Sequence, residues 1–134
     1  MNRTYTIIQV VVAIGGVFYA LTGLALLFAP EWFYRNIGFF PPFNRHYAGD
    51  LGTFTLALGA GLLLASRDPA RHRLLIGVAA AASVLHSLNH AYDDAQAPSP
   101  ATRLLVDTLP LLIFGLLLAL AYYGLTARTM DDGR

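Results

Sequence analysis

Cysteine is absent from this 134-residue chain, and charged residues make up only 13% of it. Without cysteine, disulfides, thiolate metal sites and thiol redox chemistry are excluded, and any metal ligand must be a nitrogen or oxygen atom. Soluble domains usually carry roughly 25% charged residues, whereas here 56% of the residues are hydrophobic. The composition therefore predicts an integral membrane protein.

Positive charge is also scarce, since the nine basic residues leave a formal net charge of +1. A nucleic-acid partner is not expected, because such partners need a broad basic surface. The sequence has neither a glycine-rich phosphate loop after a strand nor a G-x-S-x-G nucleophile motif. The enzyme classes that these motifs define are excluded.

Four apolar stretches are each long enough to cross the bilayer, since a helical span needs about 20 mostly apolar residues. We expect an all-α fold, a four-helix transmembrane bundle that forms a single domain over residues 1–134. The first stretch is too long to be the apolar region of a signal peptide. The predicted spans cover about 7–29, 47–66, 74–91 and 104–127.

The connections between the spans differ in character. An Asp-Pro pair predicts a tight turn at 67–73, the polar stretch 93–102 is expected to be a loop, and Pro110 is expected to kink span four. Residues 30–45 have the composition of an aromatic belt at the headgroup level, which predicts a short interfacial helix and a Pro-Pro turn. The aromatic residues of this segment are Trp32, Phe33, Tyr34, Phe39, Phe40 and Phe43.

Arginine counts predict the orientation, because short cytoplasmic loops are enriched in basic residues. The two termini and the 67–73 turn carry six arginines, and the other side carries three. Both termini are therefore expected in the cytoplasm, with the chain in a bacterial inner (plasma) membrane.

Small residues predict the packing, since helices in lipid associate through close backbone approach. Gly16 and Gly23 mark one such stripe on span one, and Gly52 and Gly59 mark another on span two, so we expect a tightly packed bundle with little room for a wide pore.

Polar side chains inside the spans concentrate at one side of the membrane, whichever way the protein is oriented. Intramembrane ionisable residues are costly and usually functional. The concentration therefore marks the candidate site. Its members lie at the start of span two, the end of span three and the start of span four, and are His46, Asp50, His86, Asn89, His90, Asp93, Arg103 and Asp107.

Helical spacing of these residues is typical of a metal site. Residues four apart lie on one helix face, so His86 and His90 present two imidazoles together, and His46 and Asp50 form a second ligand-bearing face. These four residues are the predicted metal ligands, and zinc, iron or copper would suit them. Three further residues are predicted to orient the ligands or close the site, namely Asp93, Asp107 and Arg103.

Structural pairing is the alternative interpretation of the same residues. Asp107 could form an ion pair with Arg103 one helical turn away, and Asp50 could pair with Arg45 or hydrogen-bond His46. Polar residues at helix ends can also act as caps or contact lipid headgroups.

The run HYAGDLGTF, followed after an arginine-rich turn by HSLNH, resembles a set of small, mostly uncharacterised four-span bacterial membrane proteins, frequent in actinobacteria. In these proteins D-x-G-x-F opens span two and H-x-x-x-H closes span three, and the likeness covers about 30–93. The resemblance implies a four-helix bundle in the bacterial inner membrane. The residues that it singles out are Asp50, Gly52, Phe54, His86 and His90.

Three functions remain open from the sequence. The first is a membrane metalloprotein, either a metal binder alone or an enzyme that acts on a lipid or a small apolar molecule. The second is a haem or quinone binder in electron transfer, with haem less favoured than a metal ion. The third is a non-catalytic accessory subunit of a larger membrane complex. The expected partners are the lipid bilayer and either further copies of the chain or another membrane subunit.

Overall fold

The computed structural model describes residues 3–38 and 41–131, with side chains as far as Ala127. These residues form helices joined by short connections, without any strand, and four of the helices are long and apolar enough to cross a membrane. The prediction of an all-α, four-span membrane protein is confirmed. The helices are α1 (Arg3–Phe28), α2 (Pro30–Asn36), α3 (Arg45–Ala65), α4 (Arg73–Ala95), α5 (Pro100–Arg103) and α6 (Leu109–Asp131), with a π-helical turn (Leu104–Thr108) before α6.

The short helix α2 is the one that the aromatic segment predicts between spans one and two. It has Pro30 in its first turn, where the missing N–H costs nothing. The next helix, α3, begins after Asn44, whose side-chain oxygen accepts hydrogen bonds from the N–H groups of His46 and Tyr47. Of the predicted aromatic belt, Phe39 and Phe40 lie outside the described residues.

The third span is one turn longer than the sequence predicts, because α4 continues to Ala95. Asp93 is consequently helical, and the predicted loop is reduced to residues 96–99. A tertiary contact accounts for the extension, since Asp94 is fully buried and accepts a hydrogen bond from the hydroxyl of Thr108 at 2.7 Å. The contact fixes the last turn of α4 against the start of the fourth span.

The π-helical turn lies directly before Pro110 in α6. Within it the N–H of Leu109 bonds to the carbonyl of Leu104, five residues back instead of four. Proline cannot donate a backbone hydrogen bond, and its ring collides with the carbonyl four residues earlier in a regular helix. A wider turn before Pro110 accommodates the ring without ending the helix.

Glycines of the stripes on spans one and two bring α1 and α3 into direct backbone contact. A Cβ added at Gly23 would lie 2.5 Å from the backbone nitrogen of Leu56, and one added at Gly59 would overlap the backbone nitrogen of Ala20. No side chain fits between the helices at these two positions. The contact is the close approach by which helices associate in lipid.

The four long helices form two pairs, α1 with α3 and α4 with α6. The terminal half of the bundle is the half that holds the N-terminus, the 66–72 turn and the end of α6. The loop half is the opposite half, next to α2 and residues 96–99. The buried apolar cluster joins the two pairs in the terminal half. Its main members are Ile8, Val12, Leu62, Ala65, Ile76, Ala79, Ala80, Leu118, Ala121 and Leu125.

The two pairs separate toward the loop half. Near the middle they are linked by Tyr19, whose hydroxyl lies 2.6 Å from Ser83 Oγ and whose ring packs on Phe114. Further toward the loops, Phe54 and Tyr47 of α3 are 78% and 71% exposed. The surface of α3 that continues past the apolar cluster is therefore not covered by α4.

Gly59→Ala is expected to destabilise the bundle, because the added Cβ would meet the backbone of Ala20, which cannot move without α1. Overpacking of this kind costs about 1–3 kcal/mol. Gly124→Ala is the matched control, since its Cβ would meet only Ile8 Cδ1 at 3.6 Å. Thermal unfolding in detergent, followed by circular dichroism, measures both variants. Equal melting temperatures would contradict the proposed role of the α1–α3 contact.

Candidate functional site in the loop half

Polar side chains line the buried face of α4 from the middle of the bundle to the loop half. Ser83 donates to the carbonyl of Ala79 at 2.6 Å, and Ser87 donates to the carbonyl of Ser83 at 2.7 Å. Both serines are buried, and Tyr19 of α1 reaches the first of them. Each hydroxyl is satisfied locally, so this part of the face is a structural feature.

Asp94 continues the same face and is the most buried ionisable group among the described residues, with no exposed surface. Its Oδ2 accepts from Thr108, while its Oδ1 has no hydrogen-bond donor within the part of the chain that the structure describes. An unsatisfied buried acceptor costs about 1–3 kcal/mol. The carboxyl group is therefore held at an energetic cost.

Asp94 and Thr108 are the residues that the sequence analysis missed. A signal for Asp94 was available, because it follows Ile76, Ser83 and Ser87 at spacings of seven and four residues and so lies on the face that α4 buries. Thr108 had no comparable signal. Its place opposite Asp94 depends on the π-helical turn that precedes Pro110.

The predicted imidazole pair is present on α4. The ring centroids of His86 and His90 lie 4.6 Å apart, with the two ring planes at 78°. His86 is exposed and His90 is half-buried. Since 1.5 Å of helix separates successive residues, His86 lies roughly 14 Å from the loop-side end of α4, well inside the span.

The predicted ligands on α3 form a second, separate pair. His46 Nε2 lies 3.4 Å from Asp50 Oδ2, and the two side chains are 80% and 59% exposed. Asp50 therefore pairs with His46 and not with Arg45. The sequence had left both of these structural pairings open. Ion pairs this exposed contribute little to stability.

The residues expected to orient the ligands or close the site are also paired locally. Arg103 donates to Asp107 Oδ2 at 3.3 Å across one helical turn, in a half-buried position. Asp93 lies half-buried on α4. The Arg103–Asp107 ion pair was the alternative interpretation of these two residues. Their predicted gating role stays a prediction.

The structure brings the candidate ligands together in pairs and not in a larger group. Within residues 3–38 and 41–127, no three His, Asp or Glu side chains lie close enough to hold a metal ion. His86 and His90 are adjacent, and so are His46 and Asp50, but the two pairs do not combine into the four-residue site that the sequence predicts. The reason is geometric, because α3 and α4 separate in the loop half.

Thr108→Val is expected to destabilise the bundle by about 1–3 kcal/mol, because it removes the one donor to a fully buried carboxyl group. Thr108→Ser keeps the hydroxyl and is the matched control. In an Asp94→Ala background, Thr108→Val should cost much less, since the partner is gone. Denaturant unfolding in detergent measures all four variants. Additive losses would contradict a direct interaction between these side chains.

The loop half therefore presents a buried carboxyl group, an imidazole pair on α4 and an exposed imidazole–carboxylate pair on α3. Of these, the pair formed by His86 and His90 brings two imidazoles together well inside a span, with ring centroids 4.6 Å apart. Comparison of the chain with family models, curated proteins and solved structures found no match.

Proposed function

We propose that this integral membrane protein binds a divalent transition metal through His86 and His90. The single observation that carries the proposal is the 4.6 Å separation of the two ring centroids. A zinc–nitrogen bond is about 2.0–2.1 Å long, so an imidazole centroid lies about 3.2 Å from the ion, and two rings at a tetrahedral angle are about 5 Å apart. The observed separation is slightly shorter, so the rings would turn and move apart by roughly half an ångström to share an ion.

The position of His86 supports the same function. Its imidazole is exposed on a helix that is long and apolar enough to cross a membrane, roughly 14 Å from the end of that helix. Polar groups at such a depth are costly and usually serve a functional site. A bound metal ion would use the imidazole nitrogen that the lipid cannot solvate.

Nitrogen ligands suit zinc, copper and iron, and the ligand type does not choose among them. Two imidazoles are one ligand short of the three that hold a catalytic zinc. We therefore propose metal binding and no reaction. Haem fits this pair less well, because two axial ligands stand on opposite sides of the iron, whereas His86 and His90 present both rings on one side of one helix.

His46 and Asp50 have a different role in this proposal. They bind one another on α3 and are not needed as ligands of the ion on α4. We further propose, from the arginine distribution, that the loop half faces away from the cytoplasm of a bacterial inner membrane.

His86→Ala and His90→Ala are each expected to abolish stoichiometric metal binding, because each removes one of two ligands. The matched control is His72→Ala, which removes the one histidine of the terminal half, bonded to the Asp68 carbonyl. Protein extracted in mild detergent without chelator, equilibrated with Zn²⁺ and desalted, is measured by elemental analysis. Metal retained by His86→Ala, or lost equally in His72→Ala, would refute the proposal.

Ser99→Cys is expected to react with a membrane-impermeant maleimide on intact spheroplasts, and Ala70→Cys only after the membrane is permeabilised. Both positions are exposed, and they lie in the connections at opposite ends of the bundle. The chain has no cysteine of its own, so each variant carries a single label. The reverse labelling pattern would show that the termini lie outside the cytoplasm.

A further inference from the structure

The metal site on α4 is incomplete within one chain. A structural zinc ion takes four protein ligands, and His86 and His90 supply two. In the described part of the chain, no third His, Asp or Glu side chain joins them. The α3 pair lies on a different helix, and that helix diverges from α4 at this level.

We propose that a second copy of this chain completes the site, so that one metal ion is held by His86 and His90 of both copies. The inference rests on the proposed function. Two-fold symmetry places the same surface of each copy against the other. A pair of ligands on that surface therefore becomes four ligands around an ion on the axis.

The surface around His86 permits such an approach. One turn before His86 on the same face of α4 stands Ala82, which is small and exposed, and Asn89, three residues after His86, is exposed on that face as well. Small residues let helices in lipid come close together. On the side of α3, Phe54 is 78% exposed, so α3 does not cover this surface.

Physical cost favours this occupant over lipid alone. Lipid chains leave the exposed imidazole without a polar partner, whereas a second copy supplies two further imidazoles to the same ion. Four neutral imidazoles complete the tetrahedral coordination of zinc.

The experiment uses the full-length chain in detergent and measures two quantities on one sample. Zinc content per chain comes from elemental analysis, and protein mass comes from light scattering coupled to size exclusion, with and without a chelator. The expected result is one zinc ion for two chains and a dimer that chelator dissociates. His86→Ala is expected to be monomeric under both conditions, whereas His72→Ala behaves as the wild type.

The two proposals fail in different ways. One zinc ion for each chain in a monomer would overturn the shared site and leave the metal site standing. No zinc at all would overturn both. A dimer that persists in chelator and in His86→Ala would overturn the shared site, because its contact would then not depend on the ion.

A single introduced cysteine locates the contact. Ala82→Cys lies on the proposed interface, and Ala81→Cys, at the same depth but about 100° around the helix, is the matched control. With a thiol-specific bifunctional reagent, Ala82→Cys is expected to cross-link in zinc and not in chelator, and to lose the cross-link when His86→Ala is added. Equal cross-linking of both cysteine variants would contradict an interface centred on His86.

Discussion

The backbone contact between α1 and α3 is the constraint on which the remaining geometry depends. Apolar side chains are as well solvated by lipid chains as by another helix, so the hydrophobic effect does not drive helices together in a bilayer. Helices associate instead where small residues let their backbones approach. Gly23 and Gly59 supply that approach, and a Cβ at either position would meet the backbone of the facing helix. With α3 bound tightly to α1, it meets α4 chiefly near the 66–72 turn. The loop-half surface of α4, with His86, stays uncovered as a result.

The lipid environment also explains how the polar groups of the loop half are arranged. Lipid offers no hydrogen-bond partner, so most of these groups bond to a neighbour on their own helix or on the helix beside it, while Asp94 Oδ1 has no donor among the described residues. Ser87 and Arg103 find partners one turn away, and Thr108 reaches across to Asp94. His86 differs from these residues because its ring lies beside another imidazole, that of His90. This difference is why we propose the imidazole pair as the metal site.

Sequence alone predicted the features that are local along the helix. The four spans follow from the length of the apolar runs, and glycines seven residues apart mark a closely packed face on each of spans one and two without saying which helices pair. The i, i+4 spacing likewise predicted that His86 meets His90, and it offered the pairing of Arg103 with Asp107 as an alternative. Interactions between helices were harder to predict. The two acidic residues Asp93 and Asp94 indicate a loop, whereas both lie in α4, where Asp94 accepts a tertiary hydrogen bond from Thr108. A four-ligand site required α3 and α4 to stay close together toward the loops. Sequence could not predict whether they do, because the angle between two helices depends on how they pack and not on either segment alone.

The coordination of a bound ion tests the central claim most directly. X-ray absorption at the zinc edge of the desalted protein distinguishes imidazole ligands from oxygen ligands. If His86 and His90 hold the ion, the spectrum will show nitrogen at about 2.0–2.1 Å with the outer-shell scattering of imidazole rings. A shell of oxygen atoms alone, without imidazole scattering, would contradict the account.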